Sequence, residues 1–194
     1  MPRKAGFATE QILESAMLVF WQRGYRGTSM RDLVTATELH PGSIYHSFGN
    51  KKQFFLEVTD YYYKQLTREI NANLAVSSSA GKVLSAFFTS FITGSRYPEA
   101  RGCLLVNTLM ECSDDPDIQA HIAAMFTGFE EMFYWILVKG QKHEDFNADL
   151  DCRLHAQALV NDYFGMRVQS LTEKSEDELI SVVNFRLKQL GFSG

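Results

Sequence analysis

Tyr45 and His46 stand side by side in the stretch HPGSIYHSFGNKK, residues 40–52. A phenol and an imidazole presented together can donate to and accept from phosphates and base edges. Small residues precede them (Pro41, Gly42, Ser43), which permits close approach to a groove, and Lys51 and Lys52 follow. No Gly-x-Ser-x-Gly elbow, His-Glu-x-x-His pair, P-loop or dinucleotide fingerprint occurs anywhere in the chain. The five histidines are scattered. The expectation is therefore recognition of an anion rather than catalysis, with no cofactor and no catalytic residue.

The three cysteines, Cys103, Cys112 and Cys152, lack the spacing of a metal site or a disulfide framework. No metal is expected, although Cys152 and His155 could share a helix face. Cys103 follows Arg101 near the expected start of a helix, where dipole and cation would both favour thiolate. It is a candidate sensor of oxidants or electrophiles, against the plainer alternative of a small buried thiol. Cys112 lies nine residues on, about half a turn round a straight helix, so the two cannot pair there.

Positioning these groups falls to helices. There is no useful strand-like alternation, and helical periodicity runs almost throughout. Thr9 can cap a first helix whose buried face is Ile12, Leu13, Ala16, Met17, Phe20 and Trp21, with Gly24 at its stop. Ser29 and Asp32 form a capping pair for a short second helix to about Thr37. Pro41 suits the first turn of a third helix, Gly49 ends it, and Asn50 with Gln53 opens a long fourth one. In the third helix Ile44 and Phe48 should face inward, leaving Tyr45, His46 and Ser47 outward.

The serine-containing stretch Ala75–Gly81 reads as a loop and boundary. Five further helices are expected at about 82–95, 99–111, 116–141, 151–172 and 176–190. The fold predicted is all-α with about nine helices. It comprises a head over residues 1–52 whose three helices, the last two short and joined by a tight turn, fit a helix-turn-helix, a connecting helix at about 50–74, and a larger part over 75–194.

Net charge is −4, but residues 1–52 carry seven Lys/Arg against four Asp/Glu, a local balance of +3, while the rest stands at −7. A basic head on an acidic body suits a nucleic-acid partner. No apolar run is long enough to span a membrane and the N-terminus lacks a signal-peptide core. A cytoplasmic location is expected.

GYRGTSMRDL followed by GSIYHSFGNKKQFF resembles the DNA-binding domain of the TetR family of bacterial transcriptional repressors, over roughly residues 9 to 56. The resemblance implies a homodimer that places two recognition helices in successive major grooves of a palindromic operator. It gives DNA-facing roles to Arg31, Ser43, Tyr45, His46 and Lys51, with Ser29, Met30, Pro41 and Gly42 close to the duplex. Glu38 stands where the family's turn usually carries Gly, so either it takes a left-handed backbone or the turn has another shape.

Further on, RGCLLVNTLMECSDDPDIQ and KGQKHEDFNADLD are similar to a subset of the family's ligand-binding domains. That similarity implies a pocket for a small hydrophobic inducer whose occupancy alters the DNA-reading heads. By spacing, Cys103, Asn107, Met110 and Glu111 share one stripe of a helix and could edge such a pocket. Phe87, Phe91, Phe126 and Phe129 could wall it, unless these rings are plain core. Helices 151–172 and 176–190 are the candidate dimer interface. Ala156, Val160, Phe164 and Gly165 lie on one side of the first, and Leu179, Val182, Val183, Leu187 and Leu190 stripe the second. The reading is an inducible repressor; a regulator or architectural protein without an inducer, or an activator, are the alternatives.

Overall fold

A computed structural model describes residues 3–93 and 102–192, the side chains of residues 3–8 and 69 excepted. Nine helices and no strand occur among the described residues. In order they are α1 Arg3–Gly27, α2 Met30–Thr37, α3 Pro41–Phe48, α4 Lys51–Val76, α5 Ala80–Thr93, α6 Leu104–Glu111, α7 Pro116–Lys142, α8 Cys152–Gln169 and α9 Glu176–Gln189.

Local chemistry sets most of these ends. Ser29 and Asp32 form a reciprocal capping box at α2, and Ser175 and Glu178 form another at α9. Asn50 Oδ1 accepts from Gln53 N–H while Gln53 Oε1 accepts from Asn50 N–H, both at 3.0 Å, which opens α4. Several bounds differ from those expected. α1 begins at Arg3, upstream of the Thr9 cap. α4 continues to Val76, where Lys139 Nζ caps its last carbonyls through Leu74 O and Ser77 O at 2.5 and 3.0 Å, leaving only residues 77–79 as loop. α6 begins at Leu104 with Cys103 as its extended N-cap, because Gly102 has φ 72° and lies outside any helix.

Contacts divide the chain into two compact units. The first comprises Met1–Gln65 and Glu99–Ala123, so that α6 and the start of α7 pack with the helix-turn-helix. Its core includes Met17, Phe20, Leu33, Ile44, Phe54, Phe55, Leu105 and Ile118, all effectively buried. Each large apolar side chain so removed from water contributes roughly 1.5–3 kcal/mol. The second unit comprises Leu66–Pro98 and Ala124–Gly194. Its core is aromatic, built on Phe88, Phe129, Phe133 and Tyr163, and α9, which packs on α5, buries Leu179, Val183 and Leu187. The Asp145 carboxylate caps α5 there, accepting from Ala80 N–H at 2.5 Å and Gly81 N–H at 3.2 Å.

Candidate nucleic-acid interface

Leu33, Ile44 and Phe48 anchor α2 and α3 to α1 and α4 from within; Ile44 is fully buried, and Phe48 stacks on Phe54 at 4.2 Å between ring centroids. This inward anchor fixes the outward face by exclusion. Pro41, Gly42, Ser43, Tyr45, His46 and Ser47 are all exposed, and Tyr45 keeps 54% of its surface in solvent. A Cβ on Gly42 would meet nothing within 4 Å, so the first turn of α3 is open to an approaching surface. Pro41 occupies the first turn, where a missing N–H breaks no helical bond.

The turn before α3 contains Glu38 at φ 56°, ψ 15°, a left-handed residue. Of the two turn geometries open from the sequence, the structure has the strained one. Arg31 is exposed in the first turn of α2 and Met30 is half-buried beside it. Ser29 is exposed, but its hydroxyl is occupied, donating to Asp32 Oδ2 at 2.6 Å and accepting from Asp32 N–H at 3.2 Å. The Ser29 hydroxyl and N–H, both donating to that carboxylate, with Arg23 beside them, hold the Asp32 carboxyl below the usual range.

Lys51, given a DNA-facing role by the resemblance, is also engaged within the protein. Its Nζ donates to Tyr25 O and Thr28 O at 2.8 Å each and sits 4.5 Å over the Tyr25 ring. Two of its three donors therefore brace the end of α1, leaving one donor and the backbone N–H at the start of α4 for an anion. Lys52 is held at 2.8 Å by Asp115 and 2.6 Å by Asp117, and Arg26 is paired with Asp114. These acids raise the Lys52 ammonium well above its ordinary value. Together these groups border a polar cleft of about 280 Å³ that Tyr25 and Cys112 also line.

The residues named for an inducer pocket separate into two sets. Phe87, Phe91, Phe126 and Phe129 belong to the aromatic core of the second unit: Phe87 stacks on Tyr163 at 5.0 Å and Phe126 on Phe164 at 4.2 Å. Cys103, Asn107, Met110 and Glu111 belong to the first unit. There α6 buries Leu104, Leu105 and Thr108, which turns Asn107 and Met110 to the opposite face; Met110 is 79% exposed. Glu111 is engaged by backbone N–H groups of Tyr25 and Arg26. Asn107 and Met110 thus lie in solvent, and Glu111 is bound to main-chain groups.

Cys103 is 1% exposed, and Tyr62 OH donates to its Sγ at 3.7 Å. It is the N-cap of α6 rather than a residue of its first turns, and Arg101 lies outside the described residues. Burial, then the Glu111 charge, pushes the Cys112 thiol up, and burial with Asp151 does the same to Cys152.

Sequence reasoning missed the carboxylate partners of Lys52, Arg26 and the 25–26 backbone. The acidic run ECSDDPD was visible, yet nothing in the sequence assigns it to bases more than 60 residues away.

Comparison with known proteins bears on this geometry. Residues 12–58 match the family model described as bacterial regulatory proteins, tetR family. Residues 81–184 match the tetracyclin repressor-like C-terminal domain. The transcriptional repressor ComR of Escherichia coli (strain K12) is 27% identical over 188 residues, covering 94% of this chain and 88% of ComR. The repressor DhaR of Mycobacterium sp. (strain GP1) is 26% identical, covering 88% of this chain and 85% of DhaR. A cysteine mutant of the TetR-family regulator CifR, solved with a 26-base-pair operator duplex, superposes with a TM-score of 0.79 at 28% identity, covering 92% of this chain and 95% of CifR. The reduced form of NemR from Escherichia coli shares the fold, with a TM-score of 0.81 at 20% identity, covering 94% and 96% of the two chains.

Proposed function

The chain belongs to the TetR family of bacterial transcriptional regulators, and from that premise we propose that two copies of it repress from one palindromic operator and release it on an inducing signal. The observation that carries this reading is the outward face of α3. Pro41, Gly42, Ser43, Tyr45 and His46 are all in solvent while Ile44 and Phe48 hold the helix from behind. Arg31 and the N-terminus of α4 supply phosphate contacts beside it. Repression rather than activation is favoured by ComR and DhaR, both named as repressors.

The dimer is assigned to α8 and α9, through a face shifted from the stripes read in the sequence. Ala156, Val160 and Phe164 are buried within the subunit, as are Leu179, Val183, Leu187 and Leu190. What α8 and α9 leave in solvent is Leu154, Val168, Val182 and Phe185, between 44% and 63% exposed, with Gly165 beside them. Exposed apolar side chains repeated on two adjacent helices suit a symmetric four-helix contact.

The inducing signal is read as a small hydrophobic ligand entering the aromatic group of Phe87, Phe91, Phe126 and Phe129, where the Arg167 guanidinium lies 5.8 Å from the Phe91 ring. Covalent modification of Cys103 is the second route, favoured by its place at the end of α6 against the Tyr62 hydroxyl. The test is selection of binding sites from random duplex DNA, then titration of the selected duplex in reducing and oxidising buffer. An inverted-repeat consensus is expected, and no enrichment would overturn the DNA-binding reading. Oxidant release lost in Cys103→Ser would establish the thiol route; unchanged release would end it in favour of a ligand.

A further inference from the structure

Residues 25–28, the connector that leads from the Gly24 break in α1 to α2, are held from two sides. Gly24 breaks α1 with φ 76°, ψ 169°, so the N–H groups of Tyr25 and Arg26 must find partners outside the helical ladder. One carboxylate serves both. Glu111 Oε2 accepts from Tyr25 N–H at 2.9 Å, and Oε1 accepts from Arg26 N–H at 2.7 Å. The approach is tight enough that a Cβ on Gly24 would lie 2.6 Å from Oε2. The carbonyls of Tyr25 and Thr28 are held meanwhile by Lys51, and Thr28 Oγ1 donates to Gly24 O at 2.7 Å. The connector thus lies between the first residue of α4 and the last residue of α6.

Glu111 differs in kind from the ion pairs around it. Arg26 and Asp114 are 57% and 69% exposed as side chains, and an exposed pair of that sort contributes little. Glu111 is half-buried and bonded to main-chain groups that have no rotamers to lose. Its withdrawal would leave two backbone donors unmet, a costly state that makes the contact closer to two-position than graded. α6 is eight residues, a stiff rod of roughly 12 Å by the helical rise, with Cys103 capping one end and Glu111 closing the other.

Resting on the reading of this chain as a DNA-binding regulator, we propose that Glu111 is a positioning residue through which α6 sets the pose of the recognition helix. While the carboxylate holds Tyr25 and Arg26, the connector, α2 and α3 keep the alignment that fits the operator. A displacement of α6 withdraws the carboxylate and frees the connector. The coupling runs directly from α6 to the end of α1.

The sign of the effect separates this role from plain electrostatics. Removing a negative charge close to a polyanion should tighten DNA binding. Loss of the positioning contact should weaken it. The experiment uses full-length protein and the duplex selected by the wild type, with random-sequence duplex as reference. Glu111→Ala is expected to weaken operator binding about tenfold, to leave random-duplex binding unchanged or slightly tighter, and to accelerate amide exchange at Tyr25 and Arg26. Glu111→Gln, which keeps one acceptor oxygen, should fall between the two, about threefold weaker, and Asp114→Asn should stay within twofold of wild type.

Operator binding by a folded Glu111→Ala variant within twofold of wild type would overturn the proposal, as would an equal loss in Asp114→Asn. Should Glu111→Ala fail to fold, wild-type affinity and unchanged exchange at both amides in Glu111→Gln would overturn it equally. A wild-type protein that selects no sequence overturns the DNA-binding reading instead. Exchange at Tyr25 and Arg26 in Glu111→Gln still decides whether the contact holds the connector.

Discussion

Two cations near the recognition helix, Arg31 and Lys51, look alike in the sequence and are used differently. The Lys51 ammonium spends two donors on Tyr25 O and Thr28 O, so its removal exposes the end of α1. Charged hydrogen bonds of this kind contribute roughly 1.5–3 kcal/mol each before solvent access is discounted. Lys51→Ala should therefore lower the unfolding free energy by about 1–3 kcal/mol in denaturant titration. Its effect on the salt dependence of DNA binding should fall well short of the roughly 0.9 that one lost phosphate contact gives. Arg31, exposed in the first turn of α2, should behave in the opposite way. Arg31→Ala should flatten the plot of log affinity against log salt by about 0.9 and leave stability within about 0.5 kcal/mol. Asp32 adds a pH dependence. Its folded pKa lies below the ordinary 3.8 because of the Ser29 hydroxyl, the Ser29 N–H and Arg23. Its contribution is thus fully present above that value and is lost as pH falls through the depressed one. Unfolding midpoints at pH 7 and pH 3 should differ less in Asp32→Asn than in the wild type, although Asp115 and Glu178 are shifted the same way and keep part of the acid sensitivity.

Among the elements, those closed by neighbours in sequence were legible and those closed by distant ones were not. The Ser29–Asp32, Asn50–Gln53 and Ser175–Glu178 caps each span three residues, and Pro41 and Gly49 punctuate α3 by their own backbone chemistry. The outward Tyr45 and His46 followed from the inward Ile44 and Phe48 in the same way. By contrast, Glu111 looked like the edge of a pocket because its spacing matched Cys103 and Asn107. Its actual partners are 85 and 86 residues away, and periodicity carries no information about them. The late start of α6 has a similar origin: Gly102 at φ 72° is a backbone choice that an apolar pattern does not reveal. The α2–α3 turn is the element where sequence and structure meet under strain. A non-glycine residue in the left-handed region costs roughly 1 kcal/mol, and Glu38 at φ 56° bears that cost. Glu38→Gly should consequently raise stability by about 0.5–1 kcal/mol, or about 1–4 °C in thermal midpoint. By removing a carboxylate near the DNA-facing surface it should also tighten binding to random duplex.

On the proposed dimeric reading, the decisive quantity for the whole molecule is the free energy by which two copies associate, because a palindrome is read only when both half-sites are engaged. Leu154, Val168, Val182 and Phe185 lie in solvent on α8 and α9 of a single copy. Removing them from water on association would favour a dimer at about 25 cal/mol per Å² of apolar surface, less the cost of immobilising two bodies. Phe185→Asp should therefore give a monomer in sedimentation equilibrium and weaken operator binding far more than random-duplex binding. Gly165 offers a sharper test, because two effects of opposite sign meet there. It lies inside α8, where Gly is about 1 kcal/mol less favourable than Ala, and a Cβ added to it would meet nothing within 4 Å in its own subunit. Within one copy Gly165→Ala can only stabilise. If α8 crosses its symmetry mate at this position, the added methyl instead separates two backbones, and each copy carries the same change. The expected result is a raised unfolding free energy for the Gly165→Ala monomer, measured in the Phe185→Asp background, together with a weakened dimer when Phe185 is intact. A rise in both would move the crossing point of the two helices away from Gly165, toward Leu154 at the other end of the same face.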